Sequence, residues 1–231
     1  MVIPKFIISE LKKIKDARGI VLVGSRSLGK ESVNSDWDFY VLLENGKGNW
    51  RKTLKVKNAL VEVFASDEER IEKNFVTGQE IGRGVDIHMF ANAKIVVDNS
   101  KGTLKKIINK AKKLLKEGPN KLLEKHIEWA QYTIADKIDD LKDCIQDNNP
   151  QTLFINSVPE EFVNWHYQLS RKWIPRKKDK LDDIKKHHKD IYNYIQKIND
   201  SSDWKNKAKF TIELGNAIGK KFHLNLDGTL P

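Results

Sequence analysis

Two aspartates near the start of the chain stand at a spacing that suits metal binding. Asp36 and Asp38 flank Trp37 and lead into an apolar run, residues 39–43, which is typical of a buried strand. Because side chains alternate between the faces of a strand, both carboxylates would project to one side, about 7 Å apart along the backbone. Carboxylates at that spacing repel each other unless a cation lies between them. Such oxygen ligands suit Mg²⁺, which also recruits substrate phosphates.

A Gly-Ser pair stands one polar loop before these aspartates. Gly24 and Ser25 follow directly on a short apolar segment that predicts a strand. Glycine lets the backbone approach a phosphate closely, and the serine amide and hydroxyl can donate to it. Arg26 and Lys30, in the same loop, can assist with a triphosphate. The alternative is a surface turn followed by an edge strand with two solvated aspartates, and the apolar run after the aspartates argues against it.

The first hundred residues predict a mixed structure that would position this loop. Apolar residues at helical spacing predict a leading helix over 7–14, and an acidic segment after Ser66, the expected N-cap, predicts a helix over 67–74. Short apolar runs predict strands at 19–24, 36–43, 52–56, 60–65, 85–90 and 94–97, the last two as a hairpin.

After residue 100 the apolar period changes to that of helices. Stripes at 104–115, 123–145, 162–173, 181–198 and 204–222 predict five helices. The fold class is therefore expected to be α+β, a small mixed sheet with flanking helices followed by an all-α bundle. We expect two domains, a catalytic one at 1–100 and a helical, acceptor-binding one at 101–231.

Composition excludes several classes of protein. The 231 residues include a single cysteine, Cys144, so neither a disulfide framework nor a cysteine zinc site is expected. No apolar run is long enough to span a membrane, and the first residues lack the features of a signal peptide, so a cytoplasmic location is expected. Most of the net charge of +10 lies in residues 101–231, which predicts either solvated lysine faces or a surface for nucleic acid.

The segment that runs from Gly24 to Asp38, Gly-Ser followed after ten residues by Asp-x-Asp, resembles the signature of the DNA polymerase beta-like nucleotidyltransferase superfamily. The similarity is greatest to its minimal and antibiotic-adenylyltransferase members. It implies a nucleotide-binding loop and a site for two Mg²⁺ ions. The residues at those positions are Gly24, Ser25, Arg26 and Ser35 for the nucleotide and Asp36 and Asp38 for the metal.

The same resemblance implies a third carboxylate on a nearby strand, which completes the metal site and takes the acceptor's proton. Glu62 and Asp86 both lie within apolar runs, where an unpaired carboxylate is costly and needs a cationic partner. We favour Glu62 because its strand comes soon after the aspartate strand. A position at a strand end, facing water or an arginine, is the alternative for either residue.

The resemblance implies an enzyme that transfers a nucleoside monophosphate from an NTP, with ATP the expected donor, to a hydroxyl of a small-molecule acceptor. Two alternatives stay open at this point. One is an RNA-binding or RNA-modifying protein that uses the basic helical half. The other is a catalytically silent regulatory or antitoxin module with the same fold.

Overall fold

The computed structural model describes residues 2–227, which form a five-stranded sheet and ten helices. The sheet half contains α1 (Lys5–Leu11), β1 (Ala17–Leu22), α2 (Gly24–Ser27), β2 (Trp37–Leu43), β3 (Asn49–Val56), β4 (Ala59–Ser66), α3 (Glu68–Glu80), α4 (Val85–Ala91), β5 (Lys94–Asp98) and α5 (Thr103–Glu117). The helical half contains α6 (Glu124–Gln146), α7 (Thr152–Leu169), α8 (Lys177–His187), α9 (Lys189–Asp200) and α10 (Trp204–Phe222).

The sheet has the strand order β3-β4-β2-β1-β5. The neighbours β2 and β4 are parallel, whereas the other three pairs are antiparallel. The hairpin β3–β4 turns through Lys57, at φ 56°, and then returns β4 alongside β2. This return sets the register between two strands that are far apart in sequence, and Asp38 of β2 lies opposite Glu62 of β4.

The two faces of the sheet have different partners. One face carries Phe39 and Val63 and packs on Ile7 and Leu11 of α1, all of them fully buried. Tyr40 lies on the other face, because neighbouring residues of a strand alternate, and its ring centroid is 4.6 Å from that of Phe90 in α4. Asp38, two residues before Tyr40, shares this second face.

The described residues form two compact units, which divide between Pro119 and Asn120. α5 belongs to the first unit, where Leu104 packs so closely over β1 that a Cβ on Gly19 would lie 2.9 Å from its Cδ2. The compact sheet unit therefore extends about one helix beyond the change in sequence period near residue 100. No helix in residues 2–227 combines the length and apolar character needed to cross a bilayer.

The second unit has its own core, built from the apolar stripes of its helices. Large buried members include Phe162 and Tyr167 of α7, with Ile138 of α6 and Ile218 of α10. The α+β class predicted from the sequence, a mixed sheet with flanking helices and a helical second half, is confirmed.

Three local predictions were wrong. The segment predicted as a strand over 85–90 is helix α4, because it buries Ile87, Phe90 and Ala91, at helical spacing, rather than alternate residues. The stripe over 181–198 forms two helices, since His188 leaves the helical conformation at φ −137° and ψ 61°. The N-cap of α3 is Asp67, not Ser66, and its carboxylate accepts from the amide of Arg70.

Candidate active site

Gly24 forms a sharp corner between β1 and the aspartate strand. The amide of Val23 donates to the carbonyl of Asp38 at 2.9 Å, which holds the end of β1 against β2. Gly24 then turns the chain with a φ of +70°, and a Cβ at this position would lie 2.0 Å from Oδ2 of Asp38. Both the positive φ and the close approach require glycine. The predicted Gly-Ser corner and the carboxylate of Asp38 are therefore in direct contact.

The loop after this corner begins as the single-turn helix α2. Ser25 follows Gly24 in this turn, and its carbonyl accepts from the amides of Leu28 and Lys30. The hydroxyl of Ser27 donates to the carbonyl of Gly24 at 2.9 Å. These bonds fix the backbone of the predicted phosphate loop next to Asp38.

Arg26 braces the segment that enters β2. Its Nε donates to the carbonyl of Asp36 at 3.0 Å, and a terminal nitrogen donates to the carbonyl of Ser35 at 2.6 Å. Its guanidinium also lies over the ring of Trp37, 4.3 Å from the centroid. The Ser35 hydroxyl accepts from the amide of Ser32 at 2.8 Å. Arg26 and Ser35 thus position the aspartate segment, and their contact with a nucleotide stays a prediction.

Asp38 and Glu62 come together through the sheet register. They are partners across parallel strands, so their side chains leave the same face from backbones about 4.8 Å apart. Asp36 stands just before β2 and is exposed. The structure therefore brings the favoured third carboxylate beside the aspartate strand, although Glu62 is 24 residues further along the chain.

The carboxylate of Glu62 is paired with an arginine of the neighbouring strand. Nε and a terminal nitrogen of Arg51 approach Oε1 of Glu62 at 2.7 and 2.5 Å. The Arg51 guanidinium lies over the ring of Phe64, 4.9 Å from its centroid. This ion pair gives Glu62 a cationic partner on the neighbouring strand.

Asp86, the other candidate for the third carboxylate, has a different setting. It lies in the first turn of α4, and its Oδ2 accepts from Asn74 at 2.7 Å and from the hydroxyl of Tyr40 at 3.1 Å. Tyr40 is also 3.1 Å from the hydroxyl of Ser66. Burial, and then the negative charge of Asp86, raise the pKa of the Tyr40 phenol far above its usual value, so the phenol remains a donor. Through these contacts, Asp86 joins α4 to the sheet.

The donor types of the site fit a divalent cation. Asp36, Asp38 and Glu62 supply carboxylate oxygens, the ligands that Mg²⁺ prefers, and the missing Cβ of Gly24 lets the Asp38 carboxylate lie against the corner. Within residues 2–227, however, no three acidic, histidine or cysteine side chains already stand close enough together to hold an ion. The three carboxylates therefore do not form a ready-made metal site, and the side chain of Glu62 is turned to Arg51.

Sequence reasoning missed Arg51, Tyr40 and Asn74. A signal for Arg51 existed, because a hairpin that turns at residues 57–58 places Thr53 opposite Glu62 and Arg51 diagonally next to it. Tyr40 and Asn74 gave no comparable signal, since their partner Asp86 sits on a segment whose helical state depends on packing.

The chain matches a known family by its sequence and a solved structure by its fold. The family model described as a nucleotidyltransferase domain matches residues 5–148. A solved structure, a nucleotidyltransferase-like protein from Exiguobacterium sibiricum 255-15, superposes with a TM-score of 0.56 at 10% identity, over 94% of this chain and 73% of the other. This likeness concerns the fold. None of the curated proteins matches the sequence.

Proposed function

Because this chain belongs to the nucleotidyltransferase domain family, we propose that it transfers a nucleoside monophosphate from an NTP, ATP by expectation, to a hydroxyl of an acceptor molecule, with release of pyrophosphate. The observation that carries the proposal is the contact of the Gly24 corner with Asp38, opposite Glu62 on the parallel strand. A phosphate-binding corner and acidic residues that can neutralise a triphosphate with Mg²⁺ are the parts that such a transfer needs.

The metal site is proposed at Asp36, Asp38 and Glu62. Bound Mg²⁺ would lower the pKa of the acceptor hydroxyl and neutralise charge on the leaving pyrophosphate. Glu62 accepts the proton of the acceptor hydroxyl as the new bond to the α-phosphorus forms. The bond between that phosphorus and the bridging oxygen breaks, and the oxygen leaves with the pyrophosphate.

The remaining loop residues orient the nucleotide in this proposal. The backbone of Gly24 and the amide and hydroxyl of Ser25 donate to phosphate oxygens. Arg26 and Ser35 keep the segment of Asp36 in place through the bonds described above. Positioning and electrostatics account for most of the catalysis of phosphoryl transfer, so a rigid loop is itself part of the mechanism.

We assign acceptor binding to the helical unit. Two cavities there support a small-molecule acceptor, and their linings differ in charge. One, of about 320 Å³, is lined by apolar residues of α7, α8 and α9 with Lys177, Lys180 and Lys207, and also with Glu160, which is paired with Lys177 and Lys180. The other, of about 260 Å³, lies near the end of α6 beside Asp140 and Asp143. Candidate acceptors must therefore include both anions and cations.

Asp38→Asn tests the proposed reaction. The variant keeps the size of the side chain and loses its charge, so we expect turnover of α-labelled NTP with Mg²⁺ to fall by about 100-fold or more. Asp16→Asn, the same change at a residue paired with Lys47 at 3.7 Å, is the control and should retain full turnover. Equal turnover by Asp38→Asn and the wild type would refute the proposal.

The acceptor is found by the same labelling reaction. ATP, GTP, CTP and UTP, each labelled at the α-phosphate, are offered with panels of cationic and anionic hydroxyl compounds. Label on a small molecule identifies an acceptor, whereas label on the protein identifies self-modification. Nucleotide binding without any transfer would favour a silent module instead.

A further inference from the structure

The guanidinium of Arg51 binds Glu62, a proposed metal ligand, although the sequence did not predict Arg51 at the site. It lies on β3, where its neighbour on the same face, Thr53, is opposite Glu62. Two nitrogens of its guanidinium converge on the single oxygen Oε1 of Glu62. The strongest arginine–carboxylate pairs instead use two parallel bonds to two oxygens. The pair is therefore well placed and still easy to exchange.

The solvent exposure of the two side chains also indicates an ion pair that can be exchanged. The Arg51 side chain is 65% exposed, and that of Glu62 is 20% exposed. Ion pairs at such exposure contribute little to stability, because water and salt compete with them. The stacking of the guanidinium on Phe64 keeps Arg51 near the site even when its bond to Glu62 is broken.

We propose that Arg51 is an exchangeable counter-ion: it neutralises Glu62 before the metal binds and then moves to the phosphate oxygens of the nucleotide. This inference rests on the proposed function, since it assumes that Glu62 becomes a metal ligand. A guanidinium and a divalent cation repel each other and compete for the same carboxylate. The released guanidinium is a planar donor fork, which matches phosphate geometry. Arg51 would thus couple metal loading to nucleotide binding.

The test measures metal and nucleotide binding separately in the full-length protein. Mn²⁺ binding without nucleotide is followed by electron paramagnetic resonance, and binding of a non-hydrolysable ATP analogue is followed by calorimetry at saturating Mg²⁺. Arg51→Met removes the competitor, so we expect Mn²⁺ affinity to rise by about three- to five-fold. The same variant loses the phosphate contact, so nucleotide affinity should fall by about ten-fold.

Two further variants separate this role from a general loss of charge. Lys55→Met removes the same charge on the same face of β3, about 13 Å further along the strand, and should change each affinity by less than about two-fold at 0.15 M salt. Arg51→Lys keeps the charge without the planar fork. It should bind Mn²⁺ nearly as the wild type does and should lose part of the nucleotide affinity.

The possible failures are distinguishable. If the wild type binds no Mn²⁺, the proposed metal site fails and the role of Arg51 fails with it. If the wild type binds Mn²⁺ but Arg51→Met binds it no more tightly, the exchange is refuted while the proposed function stands. Weaker binding of both ligands in folded Arg51→Met and Arg51→Lys would also refute the exchange, because Arg51 would then only hold Glu62 in place.

Discussion

Gly24 determines both the turn of the backbone and the position of a proposed metal ligand. Its positive φ is a property of the turn, and its missing side chain is what allows Asp38 to lie against the corner. A second glycine of the loop, Gly29, has the positive φ without the close contact. It has a φ of +67°, but a Cβ there would meet nothing within 4 Å.

The two glycines form a matched pair for mutation. Gly24→Ala and Gly29→Ala each force an L side chain into the left-handed region, so both should lower the free energy of unfolding by about 1 kcal/mol, and Gly24→Ala by more because its Cβ clashes with Asp38. Only the Gly24 variant displaces the Asp38 carboxylate, so only it should lose turnover, by about 100-fold. Thermal denaturation and the labelling assay measure the two effects. Equal turnover in both variants would show that the contact with Asp38 is not needed.

At the scale of elements, α10 packs into the helical unit through a glycine. A Cβ on Gly215 would lie 2.7 Å from Phe162 of α7 and 2.9 Å from Ile138 of α6. The close approach of three helices therefore depends on the absence of one methyl group. Both neighbours are buried and well packed, so they have little room to move away.

Gly215→Ala should destabilise the helical unit despite the better helix propensity of alanine. Overpacking of a core costs about 1–3 kcal/mol of stability. Replacing Gly by Ala in a helix interior gains only about 1 kcal/mol, so we expect a net loss. Asn216→Ala, at the next and exposed position, is the control and should be neutral or slightly stabilising. Urea denaturation followed by circular dichroism gives both values. A stabilised Gly215→Ala variant would contradict the tight packing.

Taken as a whole, the protein buries one histidine, His166, in its helical unit, within the described residues 2–227. His166 is fully buried, and its Nε2 lies 3.0 Å from Nδ1 of His188, at the break between α8 and α9. Its Nδ1 has no hydrogen-bond partner among residues 2–227. Burial, followed by the positive charge of Lys221, lowers the pKa of His166 to about 4. Burial also lowers the pKa of His188.

These shifts predict that the helical unit loses stability as the pH falls below about 6.5. The unfolded chain takes up a proton near its ordinary pKa of 6.5, whereas folded His166 does not until about pH 4. Between these values, His166 lowers the free energy of unfolding by about 1.4 kcal/mol for each pH unit that the pH falls. Urea unfolding at pH 7.0, 6.0 and 5.0 measures the slope.

His166→Gln should reduce this pH dependence, and His126→Gln, at an exposed position, should leave it unchanged. The comparison is made at pH 5 and above, where most carboxylates remain ionised. A slope that is the same in the wild type and in His166→Gln would assign the pH dependence to other groups.

Patterns within short segments were enough to predict the local features of the site. The strand that carries Asp38, the glycine corner before it and the helices with long apolar stripes all follow from patterns within short segments, because backbone conformation and one-sided burial act over a few residues. The α+β class followed from the change in period near residue 100. The extent of the sheet unit did not, since the packing of α5 on β1 joins segments about 85 residues apart.

Contacts between residues far apart in the chain could not be predicted in this way, because they depend on the assembled fold. Residues 85–90 were predicted as a strand but form α4, in which Phe90 packs on Tyr40, and the stripe over 181–198 did not predict the break at His188. The neighbourhood of Glu62, with Asp38 on one side and Arg51 on the other, exists because β4 pairs with β2 and β3 at once. Strand order and register are properties of the assembled sheet, in which contacts far apart in sequence are satisfied together, so no single segment encodes them.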